Sequence, residues 1–352
     1  MAEVVKMSCQ EPIDIPEMAM QEGDRYVQDK LPMANVPMEG GDYEGFCDCL
    51  QKAKSHKACP RWACPKEAWQ LALKEGPYQT QFQNMLQHFF VLLRCYKQQP
   101  QLWSVSQTAL LDKVGNKTGC RSKRVIHLLD PVGKAWNKWV WGSSSHAVPS
   151  WAVGFVPRRR REQAILQLKC QLWRLRASGR GAVFDVANAF SSTSFASLDR
   201  VLYEDCPEQV ALLLAQRYRR ALWLFSVCGQ EMLISPGCGD LQGDTAAPHK
   251  FLRVYNKLLA RWKQKTSTEF EDSIFQLRDP LSGKKVSTSM IAFADDLCRV
   301  ALCPSVFSFS RCYEDWNRKL DAELATAGLG QKRQKQQLLC RPAGRGAVAM
   351  LQ

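Results

Sequence analysis

Three carboxylates in two short strings hold the chemistry of this chain. Asp185 leaves the apolar run Gly181-Ala182-Val183-Phe184, and Phe190 follows it five residues later. Asp295 and Asp296 stand side by side after Phe293-Ala294, at the end of a run that reads as a strand. Adjacent carboxylates repel, so such a pair at a strand end makes sense when cations sit among them. Oxygen ligands bridging two Mg²⁺ ions are what two-metal phosphoryl transfer requires. A third string lies between the other two: Pro236-Gly237-Cys238-Gly239-Asp240-Leu241-Gln242-Gly243-Asp244. Its glycines permit close approach of backbone or ligand to the segment that follows.

The elements that must position these residues follow from propensity and periodicity. Residues 181–185 read as a strand flanked by glycine, and 289–293 with 297–302 as a hairpin carrying Asp295 and Asp296 at its turn. Asp244 is placed to cap a helix running through Phe251, Tyr255 and Leu258 to Trp262. Phe309, Cys312, Trp316, Leu320 and Leu324 mark an amphipathic helix that packs beneath a sheet and ends near Gly328 and Gly330. Further helices are expected over 197–202 and 208–222. A hairpin is expected over 223–228 and 231–234, turning at Gly229. Arg158, Arg159, Arg160 and Arg161 lead into a helix over 162–177. A basic run at a loop-to-helix junction suits either a solvated face or phosphate contact. Apolar residues from Trp69 to Leu93 recur at three- and four-residue spacings, the pattern of core-facing helices over 62–98. No internal repeat is visible.

With 352 residues the chain can bury a large core. Its formal charge is +14, unevenly spread. Residues 1–50 hold three Lys/Arg and eleven Asp/Glu, a balance of −8, which leaves +22 for the remainder. A basic body behind an acidic leader suits a polyanionic partner, because Lys and Arg neutralise phosphates and release counterions. Fifteen cysteines in a long chain with no secretory leader and ample apolar residues argue for reduced thiols in a nuclear or cytoplasmic, non-secreted protein. Cys47, Cys49, Cys59 and Cys64 follow a C-x-C…C-x4-C spacing without the paired C-x2-C knuckles of structural zinc sites. No apolar run reaches membrane-spanning length, so no membrane partner is expected.

Taken in order, the strings resemble the reverse transcriptase domain of non-LTR (LINE-like) retrotransposons over about residues 110–340. Asp185 with Ala189-Phe190 matches the first palm motif. Gln242-Gly243-Asp244, with Pro248 and Phe251, matches the second, and Phe293-Ala294-Asp295-Asp296 the catalytic hairpin. Gly328-Leu329 followed by Lys335 resembles the fourth palm motif. Arg124-Val125-Ile126 with Lys134 resembles the first finger motif, and Gly154-Phe155-Val156-Pro157 with Gln163-Ala164-Ile165 the second.

The resemblance implies an α+β fold: a right-hand polymerase palm, its antiparallel sheet backed by helices, with mixed fingers. It implies an RNA-directed DNA polymerase derived from a retrotransposon, working on an RNA template, a DNA primer and dNTPs. Two Mg²⁺ ions, with Mn²⁺ as the alternative, would be held by Asp185, Asp295, Asp296 and the backbone carbonyl of Val186. Lys335 would shield or protonate the leaving pyrophosphate. Phe190, Gln242, Gly243 and Arg124 would contact the incoming nucleotide. Arg158, Arg159 and Arg161 would contact the template. In palm polymerases the residue at the Phe190 position faces the sugar C2′. A ring there clashes with a 2′-hydroxyl and leaves it unpaired, so deoxynucleotides are expected.

The chain departs from the family's usual pattern at Val125, Arg158, Ser191 and the pair Gln331-Lys332, and none of these is a metal ligand. Seventeen residues follow Lys335, fewer than a helical thumb needs. The expected organisation is an acidic disordered leader over 1–45, a helical segment over 46–109, fingers over 110–180, palm over 181–340 and a tail over 341–352. One rival reading is a catalytically inactive, truncated nucleic-acid-binding remnant of such an element. A group II intron maturase or telomerase-like enzyme shares the palm.

Overall fold

The computed structural model describes residues 41–74, 76, 79–113, 122–142, 148–174, 179–184, 186–187, 192–227, 229–267, 276–278, 283–302 and 306–340. Side chains at 172–174, 179–184, 186–187, 276–277, 286–287, 301–302, 306–307, 309 and 338–340 are outside that description. The chain divides into two compact units, each made of two stretches: Met1–Ser145 with Asp199–Ala247, and His146–Leu198 with Pro248–Gln352.

In chain order the helices are α1 (Asp42–Gln51), α2 (Lys66–Ala72), α3 (Gln79–Tyr96), α4 (Gln101–Ser104), α5 (Pro131–Gly142), α6 (Arg161–Arg174), α7 (Phe195–Asp205), α8 (Glu208–Arg219), α9 (Ala247–Thr266) and α10 (Val306–Ala325). The strands are β1 (Val105–Asp112), β2 (Lys123–Leu128), β3 (Gly179–Phe184), β4 (Val186–Ala187), β5 (Leu222–Val227), β6 (Gln230–Ile234), β7 (Gln276–Arg278), β8 (Lys285–Ser287), β9 (Met290–Phe293), β10 (Asp296–Leu302), β11 (Gly330–Gln331) and β12 (Gln337–Cys340). This is an α+β architecture with sheets backed by helices, as the resemblance implies.

The first unit is built on a mixed sheet of order β2-β1-β5-β6, in which β1 runs antiparallel to β2 and parallel to β5. Its helical layer closes around aromatics. Phe90 of α3 stacks on Trp136 of α5 with ring centroids 4.6 Å apart, and Phe46 of α1 lies 4.8 Å from Phe90. Asp42, inside the stretch read as leader, opens α1. It accepts hydrogen bonds from Arg94 (2.8 and 2.9 Å) and from Trp139 Nε1 (2.8 Å). The start of α5 is written locally: Asp130 accepts the Gly133 N–H at 2.8 Å, and Pro131 takes the first helical position, where a missing N–H costs nothing. The helix expected over 208–222 stops at Arg219. Leu222 instead opens β5, whose residues pair in parallel with Val105–Thr108.

The second unit is built on an antiparallel sheet of order β12-β3-β10-β9. Trp151 and Val153 extend its β9 edge by backbone hydrogen bonds with Ala292 (2.9 and 2.8 Å). Helices α9 and α10 join beneath it: Trp262 Nε1 donates to the Trp316 carbonyl at 3.0 Å, and Trp316, Leu320 and Leu324 are buried. Buried Glu323 of α10 receives Arg261 Nε at 2.7 Å and Lys265 Nζ at 2.5 Å from α9. These contacts fix the two helices on which the sheet rests.

Candidate active site at the edge of the antiparallel sheet

The turn of the β9–β10 hairpin is as short as the sequence suggests. Asp296 pairs with Phe293, leaving Ala294 and Asp295 as the two central residues. Ala294 takes a left-handed backbone (φ 57°), a conformation that disfavours any residue with a Cβ. The turn is held from two sides. Tyr255 of α9 donates its hydroxyl to the Asp295 carbonyl at 3.3 Å. Gly154 lies so close to Ala294 that a Cβ on it would overlap the Ala294 nitrogen. Asp295 is half-buried and Asp296 exposed.

Register brings other site residues to this same edge. Phe184, the last residue of β3, pairs with Leu297, one residue past Asp296. Gln337, the first residue of β12, pairs with Val183. Val186, the first residue of β4, pairs with Gln331. Phe184, just before position 185, therefore pairs beside the hairpin turn, whereas Val186, just after it, belongs to a separate two-stranded sheet with β11. Asp185 and Phe190 themselves lie outside the described residues, as does Ser191. Lys335 is exposed on a 3-10 turn (Arg333–Lys335) one residue before β12.

Exposure along β10 falls from the hairpin turn inward, and Val300 is fully buried. Leu297 and Arg299 are fully buried, whereas Asp296 is exposed and Cys298 intermediate. Burial pushes the Cys298 thiol up to about 11, so it stays protonated near neutrality. On the helix side the Arg299 guanidinium sits in the corner of two nearly perpendicular indoles, 4.7 Å from the Trp262 ring and 4.2 Å from the Trp316 ring, and also donates to Thr266 Oγ1. A buried arginine packed on two indoles needs partners contributed from two helices, α9 and α10, and no local pattern announces it.

The arginine run resolves into unlike members. Arg158 and Arg161 are exposed, and Arg158 has a left-handed backbone (φ 64°). Arg159 turns inward. Its Nη1 donates to the carbonyls of Pro149 (2.5 Å), Ser150 (3.4 Å) and Ala152, and burial holds its pKa below the ordinary guanidinium range. It clamps the loop that carries Gly154.

The remaining expected nucleotide contacts lie in the first unit. Arg124 is exposed on β2, opposite Leu111 of β1. The Gln242 carbonyl accepts the His127 N–H at 2.9 Å, and a Cβ on Gly243 (φ 130°) would overlap the His127 carbonyl oxygen. The 242–243 string is thus docked onto the end of β2. Asp244, read as a helix cap, stands three residues before α9 and forms a fully buried ion pair with Arg217 at 2.9 Å. Among the described residues no three His, Cys, Asp or Glu side chains gather into a metal-sized cluster, at Cys47–Cys64 or elsewhere. The ten cysteines described are all free thiols. Among the described residues no helix is long and apolar enough to cross a membrane.

No family model matches the chain and no curated protein matches it. Solved structures of telomerase from Candida tropicalis are similar in outline. The form truncated from its C-terminal domain is 12% identical with a TM-score of 0.49, covering 69% of this chain and 51% of that one. The apo enzyme is 10% identical with a TM-score of 0.48, covering 69% and 45%. The complex with a TWJ fragment of telomeric RNA is 11% identical with a TM-score of 0.47, covering 74% and 45%. The chain spans about half the length of these structures.

Proposed function

We propose that the chain is a polymerase of the reverse transcriptase type, extending a DNA primer on an RNA template and derived from a non-LTR retrotransposon. One observation supports this above the others. The strand that ends at Phe184, the turn holding Asp295 and Asp296, and the turn holding Lys335 all meet one edge of a single antiparallel sheet. That is the order in which the sequence motifs assign first carboxylate, paired carboxylates and proton donor.

The donor set fits hard divalent cations: carboxylate oxygens of Asp185, Asp295 and Asp296, with the Val186 carbonyl. Two Mg²⁺ ions held there supply Lewis acidity at the primer hydroxyl and at the triphosphate. The protein's own groups do the rest. Tyr255 and Gly154 keep the Asp295 turn in place, so that the carboxylates are presented without reorganisation. Lys335 gives a proton to the departing pyrophosphate. Phe190 fills the space a 2′-hydroxyl would need. Arg158 and Arg161 take template phosphates, while Arg159 holds their loop.

Incorporation of dTTP on poly(rA)/oligo(dT) with Mg²⁺ tests the reading. Activity in the natural chain that is lost in Asp295→Ala, with template binding retained, supports it. Binding without incorporation in both proteins assigns the chain to nucleic-acid binding alone. Phe190→Ala tests the sugar choice, and unchanged discrimination between dTTP and UTP would remove Phe190 from that role.

A further inference from the structure

Two glutamines form a closed hydrogen-bond network behind the proposed site. Gln331 Nε2 donates to the Asn317 carbonyl at 3.0 Å and to Asp321 Oδ1 at 2.8 Å, both on α10. Its Oε1 accepts Gln336 Nε2 at 2.6 Å. Gln336 Nε2 also donates to Asn317 Oδ1 at 3.1 Å, and its Oε1 accepts the Tyr313 hydroxyl at 2.5 Å. Both donors and the acceptor of each primary amide are used, so neither amide can flip without losing bonds. Asn317, 6% exposed, closes the set by donating its Nδ2 to the Tyr313 carbonyl at 3.2 Å. Arg333 reaches back to Asp321 from the same turn.

The network's place in the chain gives it a consequence. Gln331 is the β11 residue that pairs with Val186, the first described residue after position 185. Gln336 is bonded covalently to Lys335. One side-chain pair therefore ties three things to α10: the strand after the first carboxylate, the turn between β11 and β12, and the lysine on that turn. We propose that Gln331 and Gln336 are positioning residues, which set Lys335 relative to the Val186 strand during nucleotide transfer. The inference rests on the polymerase reading above. In the step concerned, the primer 3′ oxygen bonds to the α-phosphorus and the bond from that phosphorus to the bridging oxygen breaks. The bridging oxygen takes a proton from the Lys335 ammonium, and the primer hydroxyl's proton passes to water. A proton donor must stand within hydrogen-bond reach of its acceptor, and displacements on the order of 1 Å can cost about a hundredfold.

The test uses the full chain on poly(rA)/oligo(dT) with dTTP. Gln336→Leu removes every bond its amide makes, and Gln336→Glu sets a carboxylate against the acceptors Gln331 Oε1 and Asn317 Oδ1. Both variants are expected to lower kcat about tenfold or more, with the KM for dTTP and the template-primer Kd within about twofold of the natural chain. The double variant Lys335→Ala/Gln336→Leu should be no slower than Lys335→Ala alone, since the glutamine acts through the lysine. Losses that multiply in the double variant would overturn the assignment. Amide hydrogen exchange over 330–336 reads the clamp without turnover: faster exchange in Gln336→Leu than in the natural chain is expected, and equal exchange refutes the clamp. A natural chain that incorporates nothing removes the polymerase reading, while the exchange comparison still decides the clamp.

Discussion

Gly154 packs directly against the backbone nitrogen of Ala294, so the loop before the arginine run supports the turn that carries Asp295. A side chain at 154 must displace that turn, because the neighbour is backbone and not the movable end of a side chain. Gly154→Ala is expected to destabilise the chain by about 1–3 kcal/mol, as overpacking does, and to depress nucleotide incorporation beyond what the lost folded fraction explains. Ala294→Gly acts in the opposite sense. Relieving a left-handed alanine stabilises by roughly 1 kcal/mol, provided the turn keeps its geometry. Urea midpoints for the two variants, beside incorporation at matched folded fraction, decide both.

Arg299 anchors the same hairpin from below. Its guanidinium is planar and packs into the corner of two nearly perpendicular indoles, contacts that an ammonium does not reproduce. Arg299→Lys is expected to cost about 1–2 kcal/mol, and Arg299→Ala about 3–5 kcal/mol because it also leaves a cavity. Equal urea midpoints for the lysine variant and the natural chain would show that the stacking contributes nothing.

These two supports differ in how far the sequence announced them. The hairpin was legible because two adjacent aspartates after an apolar run have few structural uses. Helices α9 and α10 were legible because Phe251, Tyr255, Leu258 and Trp262, and then Trp316, Leu320 and Leu324, keep helical spacing. Gly154 was visible as part of a finger string, but not as a contact of Ala294, 140 positions later. The parallel pairing of β1 with β5 was also hidden. Leu222-Trp223-Leu224-Phe225 suits helix end and strand alike, and Val105–Thr108 as partner settles it. In the sequence Arg159 is one member of a basic run. Only the carbonyls of Pro149, Ser150 and Ala152 set it apart from Arg158 and Arg161. Gln331 was visible only as part of a departing motif pair and Gln336 carried no signal, because their bonds go to Tyr313, Asn317 and Asp321 on α10.

His127 gives the fold an acid-sensitive point. The residue is 4% exposed; its ring lies 4.8 Å from the Trp223 ring and shares a 3.0 Å hydrogen bond with Ser106 Oγ through Nδ1. Burial pushes its pKa down to about 4. The unfolded chain takes up that proton near pH 6.5, so between the two values the unfolded state binds more protons. The contribution is complete above about pH 6.5 and is lost as pH falls through about 4. At pH 4.5 the loss is about 2–3 kcal/mol. His127→Gln removes the titrating group. The natural chain should lose that much more stability than the variant between pH 7.5 and pH 4.5, measured by urea unfolding. Parallel losses would show that His127 is not buried neutral.

The arginine run makes a prediction in which neighbours behave differently. If Arg158 and Arg161 contact template phosphates, each releases counterions on binding, and each alanine substitution lowers the slope of log affinity against log salt by about one. Arg159 already spends its guanidinium on backbone carbonyls. Removing it leaves those acceptors unmet, at about 1–3 kcal/mol of stability, and releases the loop that presses Gly154 on Ala294. Arg159→Ala should therefore keep the natural salt slope, melt earlier and lose incorporation. Fluorescence anisotropy of a labelled poly(rA)/oligo(dT) duplex across a KCl series reads the slopes. A full unit lost in Arg159→Ala would mean that the guanidinium leaves its carbonyls for phosphate when template binds.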